Sequence, residues 1–184
     1  MASEAGRHLK KCVLELGGNN AFVVLNDANQ ELALNIALPA RLQNGGQSCI
    51  AAKRFIIESW IAEDFVPELV KRVGQLEVGD PMKAETQVGP LSSVKQAREV
   101  EKQVKDSVEK GAMLVTGGQR DGAFYQPAVV TRVKPGMPLF DEEVFGPVFA
   151  IVEADTAGHA LELSNRSKYG LGMQLFTQSE CWVN

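Results

Sequence analysis

Three short stretches of this 184-residue chain hold residue types that could do chemistry together. The first is Gln43-Asn44-Gly45-Gly46-Gln47-Ser48-Cys49-Ile50-Ala51-Ala52, in which polar and glycine-rich residues lead to one cysteine and small apolar residues follow. A helix-like segment, Asn29 to Leu42, precedes it, and a strand-like run, Arg54 to Glu58, comes after. The thiol is therefore expected in a loop between two ordered elements, where binding and catalytic groups concentrate. Gly45 and Gly46 permit positive φ or close backbone approach, which a nucleophile with an oxyanion forming beside it requires. A free cysteine is more often a small buried hydrophobe, but Asn-Gly-Gly-Gln is an unusual lead-in to a core position.

The second stretch is Cys12-Val13-Leu14-Glu15-Leu16-Gly17-Gly18. Val13 to Leu16 reads as a short buried strand and the two glycines as its end. A carboxylate inside an apolar strand is costly unless paired or functional, and burial pushes carboxylates toward the pKa range of a general base. Equally open is a Glu15 that points to solvent from an edge strand. The third stretch is Glu142-Glu143-Val144-Phe145-Gly146-Pro147-Val148. Two adjacent acids in a loop are ordinarily just solvated, and the Phe-Gly-Pro that follows weakens that reading.

Leu14 to Gly18 followed by Gly46-Gln47-Ser48-Cys49, with Cys49 placed 34 residues beyond Glu15, resembles the paired signatures of the aldehyde dehydrogenase superfamily. The Glu142-to-Val148 stretch is similar to a third signature of that family, and the resemblance runs from about Leu9 to about Gln178. It implies Cys49 as the nucleophile that attacks an aldehyde, NAD or NADP as hydride acceptor, and a thioester intermediate. It implies Glu15 as the general base that activates the hydrolytic water. It further implies Glu143 on the nicotinamide-ribose hydroxyls, Phe145 beside that ring, and Gln96 against the adenine ribose. No metal is implied. One oxyanion donor would be the backbone N–H of Cys49. The family's second donor, a side-chain amide from a Pro-Trp-Asn type motif far upstream, has no counterpart here, and Asn44 is not its equivalent.

Locally the chain is most similar to bacterial succinate-semialdehyde dehydrogenase-like members, through Ala51 to Glu58 and Val24 to Ala28, neither of which reads a substrate. Two other functions remain open. One is a non-catalytic structural or interaction relative, against which the presence of both Cys49 and Glu15 argues. The other is a coenzyme A-acylating enzyme, whose members commonly lack the Glu15 equivalent. Against the family pattern, the nucleotide-binding domain and the closing oligomerisation segment are missing. Residues 1–184 are therefore expected to be the catalytic domain of an incomplete enzyme, inactive alone, whose complete form is a homo-oligomer.

Composition sets the outer bounds. The apolar fraction of 45% and charged fraction of 23% are those of an ordinary globular domain, and the length supports a proper core. A net charge of −4 with no Lys/Arg cluster offers no nucleic-acid footprint. No apolar run approaches a membrane span. Three unevenly spaced cysteines make no disulfide framework and point to a reducing, cytoplasmic compartment. Cys12 and Cys181 are expected to be structural, and His8 and His159 to lie at the surface.

These groups must be positioned by an alternation of strands and helices. Cys12–Leu16, Ala21–Leu25, Arg54–Glu58, Ala112–Thr116, Val148–Val152 and Met173–Phe176 read as strands, with Phe124 to Val133 and Leu139–Phe140 extended. Met1 to Lys11, Asn29 to Leu42, Ile61 to Leu76, a long amphipathic stretch to about Lys110, and Ala157 to Asn165 read as helices. Asp27 is the expected cap of the second helix, Pro39 its expected kink, and Gly111 the cap glycine of the fourth. Ser179 to Asn184 is similar to a further strand. The pattern argues an α/β layered domain with a mainly parallel sheet flanked by helices.

Overall fold

Continuous apolar runs fix the centre of the molecule. In the computed structural model, which describes residues 1–182, Asn20–Val24 forms β1 and Ala52–Glu58 forms β2, and every residue of both is buried. The runs Ala21–Val24 and Phe55–Ile57 have the hydrophobicity of strands buried on both faces, while Lys53, Arg54 and Glu58 put buried charge into β2. The remaining elements are α1 (Ala2–Arg7), α2 (Gln30–Leu42), α3 (Ser59–Gly74), α4 (Val94–Glu109), β3 (Met113–Thr116), β4 (Arg120–Asp121), β5 (Phe124–Tyr125), β6 (Ala128–Thr131), α5 (Pro138–Asp141), β7 (Val148–Ala154), α6 (Ala157–Asn165) and β8 (Met173–Phe176). Among the described residues, one sheet runs in the order β3-β6-β7-β2-β1-β8, and β4 and β5 form a separate small hairpin. Every pairing in the large sheet is parallel except that of β3 with β6.

The period-two alternation of the strands sorts side chains into two cores. Phe22, Val24, Phe55, Ile57, Phe149 and Ile151 pack under α2 and α3. Ala21, Val23, Ile56, Ala150 and Val152 pack under α4 and α6. The rings of Phe22, Phe55 and Phe149 succeed one another across the strands at centroid separations of 4.9 and 5.1 Å. Full burial of each such side chain contributes about 1.5–3 kcal/mol. Ala97, Val100, Gln103, Val104 and Ser107 form the buried stripe of α4, while its charges face outward. Gly111 follows α4 with φ 104°, a left-handed cap as expected.

Several details depart from the sequence-based expectations. Cys12 to Leu16 is irregular and exposed, with Val13 and Leu16 79% and 76% accessible, because Gly17 turns the chain at φ 81° before β1 begins. Cys12 and Cys181 are both exposed free thiols and not structural ones. Asn29, not Asp27, caps α2, its side chain accepting from the Leu32 N–H. The Asp27 carboxylate instead accepts from the Thr177 hydroxyl and the Gln178 N–H, tying the ends of β1 and β8 together. Helix α2 continues past Pro39 to Leu42. Leu139 and Phe140 lie in the helical turn α5, which Pro138 opens from its first position. Glu180–Trp182 is a 3-10 turn rather than a strand, and Val183 and Asn184 lie outside the described residues.

Candidate active site

Four loops converge at one end of the sheet because each enters a parallel strand. Gly17 and Gly18 lead into β1, Cys49 into β2, Glu143 to Gly146 into β7, and Leu171 and Gly172 into β8. The Cys49 loop is shaped by backbone that L side chains rarely adopt. After α2 a 3-10 turn, Gln43–Gly46, holds Asn44, Gly45 and Gly46 at φ 52°, 64° and 79°. Gly46 is needed there twice over, since a Cβ would sit 2.5 Å from the Gly146 carbonyl oxygen. Cys49 is half-buried. Its carbonyl accepts from the Asn20 side-chain amide at 3.2 Å, and a Cβ on Gly18 would meet the same oxygen at 2.5 Å.

Glu143 closes the cluster. Its Oε1 accepts from the Gly18 N–H at 3.1 Å and stands 3.6 Å from the Lys53 ammonium. Gly17 lies so close that any Cβ would strike the same carboxylate. Helix α4 fixes this loop from the far side. Gln103 donates to the Glu142 carboxylate and the Glu143 carbonyl, and Gln96 donates to the Phe145 carbonyl at 2.9 Å. Cys49, Glu143, Phe145 and Gln96 thus belong to one connected assembly. Glu15 stands apart. It lies in the exposed segment before Gly17, and among the described residues its carboxylate makes no hydrogen bond or ion pair. Of the two readings open for Glu15, burial within a strand is excluded and exposure is found, though in an irregular segment and not an edge strand.

Sequence reading missed the buried cations that hold the loops. Arg41 donates to the carbonyls of Ala52 at 2.7 Å, Val144 at 2.8 Å, and Gly146. Burial pushes this guanidinium down to about 9, with Glu143 pulling upward. Lys53 donates to the carbonyls of Ser48, Cys49 and Ala51. Arg54 spans from the Asn19 carbonyl to those of Leu163 and Ser164 and lies over the Phe140 ring; burial pushes it down to about 10, opposed by Asp141. The signal was present. A Lys-Arg pair entering the run Phe55-Ile56-Ile57 cannot keep both charges in water, and buried charges need partners.

Two adjoining cavities, of about 290 and 280 Å³, open beside the assembly. Asn20, Ala21, Leu171, Gly172 and Met173 line both, and Ile50, the neighbour of Cys49, lines the second. The buried Asn19 side chain reaches the first, its Oδ1 without a partner among the described residues. Among the described residues no cluster of His, Cys, Asp and Glu could hold a metal ion, and no helix is long and apolar enough to cross a membrane.

Known proteins share this sequence and fold. The chain is 46% identical over 183 residues to the NAD(P)+ succinate semialdehyde dehydrogenase Sad of Escherichia coli (strain K12), covering 98% of this chain and 40% of that protein. It is 44% identical over 179 residues to the NADP(+) succinate-semialdehyde dehydrogenase 1 of Mycobacterium tuberculosis (strain H37Rv), covering 96% and 39%. The crystal structure of succinate-semialdehyde dehydrogenase from Burkholderia pseudomallei superposes with a TM-score of 0.95 at 32% identity, over 99% of this chain and 38% of that one. The chain therefore spans about 40% of the length of the curated relatives it matches. The aldehyde dehydrogenase family model matches residues 1–182, all of the described residues. Strand order, loop convergence and sequence lead to one assignment: the chain belongs to the aldehyde dehydrogenase family.

Proposed function

We propose that the complete protein oxidises a small aldehyde, with succinate semialdehyde the first candidate, to its carboxylate, using NAD or NADP. The observation that carries this reading is the half-buried Cys49 in a strained turn, locked by backbone contact to Gly18 and through Lys53 to Glu143. Similarity to the succinate-semialdehyde dehydrogenases supports the substrate and the cofactor. The residues present fit a nicotinamide cofactor. Glu143 is partly exposed, and among the described residues its Oε2 makes no hydrogen bond, leaving an acceptor for ribose hydroxyls. Phe145 is half-buried next to it, beside where the nicotinamide ring would lie. Gln96 uses its amide N–H on Phe145, which leaves Oε1 free for the adenine ribose.

The thiolate, not the thiol, is the nucleophile. The Cys49 thiolate adds to the aldehyde carbon, and the carbonyl electron pair moves to oxygen, where the Cys49 N–H can donate. When bound, the nicotinamide supplies the hydride acceptor that converts this adduct to a thioester. Glu15 takes a proton from water, the water oxygen adds to the thioester carbon, and the Cys49 sulfur leaves. Glu15 is exposed in the structure, open to the solvent that supplies this water. Three free thiols fit a reducing, cytoplasmic setting, and the complete protein is expected to be a homo-oligomer.

The test is transient kinetics on the complete protein with succinate semialdehyde and NADP. Cys49→Ser should abolish both the burst of NADPH and the turnover, because a hydroxyl is a far weaker nucleophile. Glu15→Gln should keep the burst and slow the turnover that follows by ~10²–10⁴-fold, the usual worth of a general base. Equal loss of burst and turnover in Glu15→Gln would remove Glu15 from deacylation.

A further inference from the structure

Lys53 sits in β2 between Ala52 and Arg54, yet its fully buried side chain folds back over the turn before the strand. Its ammonium donates to the carbonyls of Ser48 at 2.9 Å, Cys49 at 3.1 Å and Ala51 at 3.2 Å, and stands 3.6 Å from Oε1 of Glu143. The Ser48 carbonyl shares its peptide plane with the Cys49 N–H. In a trans peptide the two point in opposite directions. An ammonium fixed on the oxygen therefore aims the N–H the other way, and its charge polarises the amide into a stronger donor.

We propose that Lys53 is a positioning residue for acyl transfer at Cys49: by holding the Ser48 carbonyl, it aims the Cys49 N–H at the oxyanion formed on the substrate. The proposal rests on Cys49 being the nucleophile. Without the ammonium, the Ser48, Cys49 and Ala51 carbonyls would gather beside the Glu143 carboxylate with no cation between, and the turn would rotate to separate them. Three charged or titratable groups face Lys53: Arg41 from α2, Glu143 from the loop before β7, and Cys49 from its own turn. Burial and then Arg41 push the ammonium down to about 8, while Glu143 and Cys49 pull it up. The clamp is thus charged at neutral pH and lost as pH rises through about 8.

Two reactions of one thiolate separate this role from a merely structural one. With p-nitrophenyl acetate, the Cys49 thiolate adds to the carbonyl carbon, the carbonyl pair moves to oxygen, and collapse expels p-nitrophenolate to leave an acyl thioester. With iodoacetamide, the same thiolate displaces iodide in one step and no oxyanion forms. In the complete protein, Lys53→Met is expected to lower the p-nitrophenolate burst rate ~10–100-fold, and alkylation of Cys49 by less than ~3-fold, since losing an oxyanion donor outright costs ~10²–10³. Lys53→Arg, which keeps a cation, should recover part of the burst. Equal losses in both reactions, or no loss in either, would overturn the proposal. Should Lys53→Met fail to fold, the wild type decides: the ratio of burst rate to alkylation rate should fall as pH rises through about 8. A ratio that stays flat through the ordinary lysine range overturns it equally. A burst that persists in Cys49→Ser would instead overturn the nucleophile assignment, whereas one that needs Cys49 and ignores Lys53 sinks this proposal alone.

Discussion

At Gly46 a single hydrogen stands in for a side chain because the Gly146 carbonyl occupies the place of the Cβ, and φ is 79°. Gly46→Ala is expected to cost about 1–3 kcal/mol of unfolding free energy, the usual range for enforced backbone strain, read as a lower urea midpoint. A midpoint within error of wild type would mean that the two backbones do not meet. Lys53 makes a second residue-scale prediction. Its folded pKa, about 8, lies below its ordinary 10.5. Between these values the unfolded chain binds more protons, so stability from this group grows as pH rises through the window and is lost as pH falls through about 8. The urea midpoint of wild type relative to Lys53→Met should therefore climb with pH while the ratio of burst rate to alkylation rate falls, and parallel trends would contradict the two assignments together. Cys49 and Glu143 were legible in the sequence because loop chemistry surrounds them. The roles of Lys53 and Arg41 were not, because each has a partner that the chain order keeps far away: the Val144 and Gly146 carbonyls for Arg41, and the Glu143 carboxylate for Lys53.

Among the elements, α2 matters through its last turn. There Arg41 joins the start of β2 to the loop before β7, and its Nε has no partner among the described residues. Arg41→Met keeps the apolar stem but leaves those carbonyls without their charged donor. The expected loss is about 3–5 kcal/mol, measured by chemical unfolding, and the Cys49 loop should become more open to proteases. A loss below about 1 kcal/mol, the worth of one ordinary hydrogen bond, would show that water replaces the guanidinium. The helices and inner strands were legible from their patterns, since α4 repeats its buried positions every three to four residues and β1 is apolar from Ala21 to Val24. The segment before β1 was misread for a physical reason. Val13, Leu14 and Leu16 are as apolar as a strand, but β1 already lies between β2 and β8, and Gly17 turns the chain out of that ladder. Apolar content alone does not supply a hydrogen-bonding neighbour. Leu139 and Phe140 show the converse, a pair that reads as extended but follows a proline at the first position of a helical turn.

Across the whole molecule, the two ends of the sheet differ. Open α/β sheets ordinarily bind ligands beyond the carboxyl ends of their strands. Here those ends are closed by the protein itself: the Asn26 N–H donates to the buried Glu58, the Ser59 hydroxyl to the Ala154 carbonyl, and the Thr177 hydroxyl to Asp27. The amino ends hold Cys49, Glu143 and the cavities. In the complete protein, NADP should slow amide hydrogen exchange at Gly18 and through the Glu143–Gly146 loop while leaving Asn26 and Thr177 unchanged. Protection at the opposite end would move the ligand away from the proposed site. The long-range contacts of the buried cations also bear on the order in which the chain can be finished. On the ribosome, β2 emerges with Lys53 and Arg54 well before their partners. Glu143 lies 90 residues beyond Lys53, and the Leu163 and Ser164 acceptors of Arg54 come later still. At synthesis rates of ~5–20 residues per second, Lys53 waits roughly 5–18 s for its carboxylate. The first two strands of the nascent chain should therefore stay loose rather than dock early. Pulse proteolysis of stalled nascent chains should find β1 and β2 cleavable until Ser164 has cleared the exit tunnel, and protected soon afterwards.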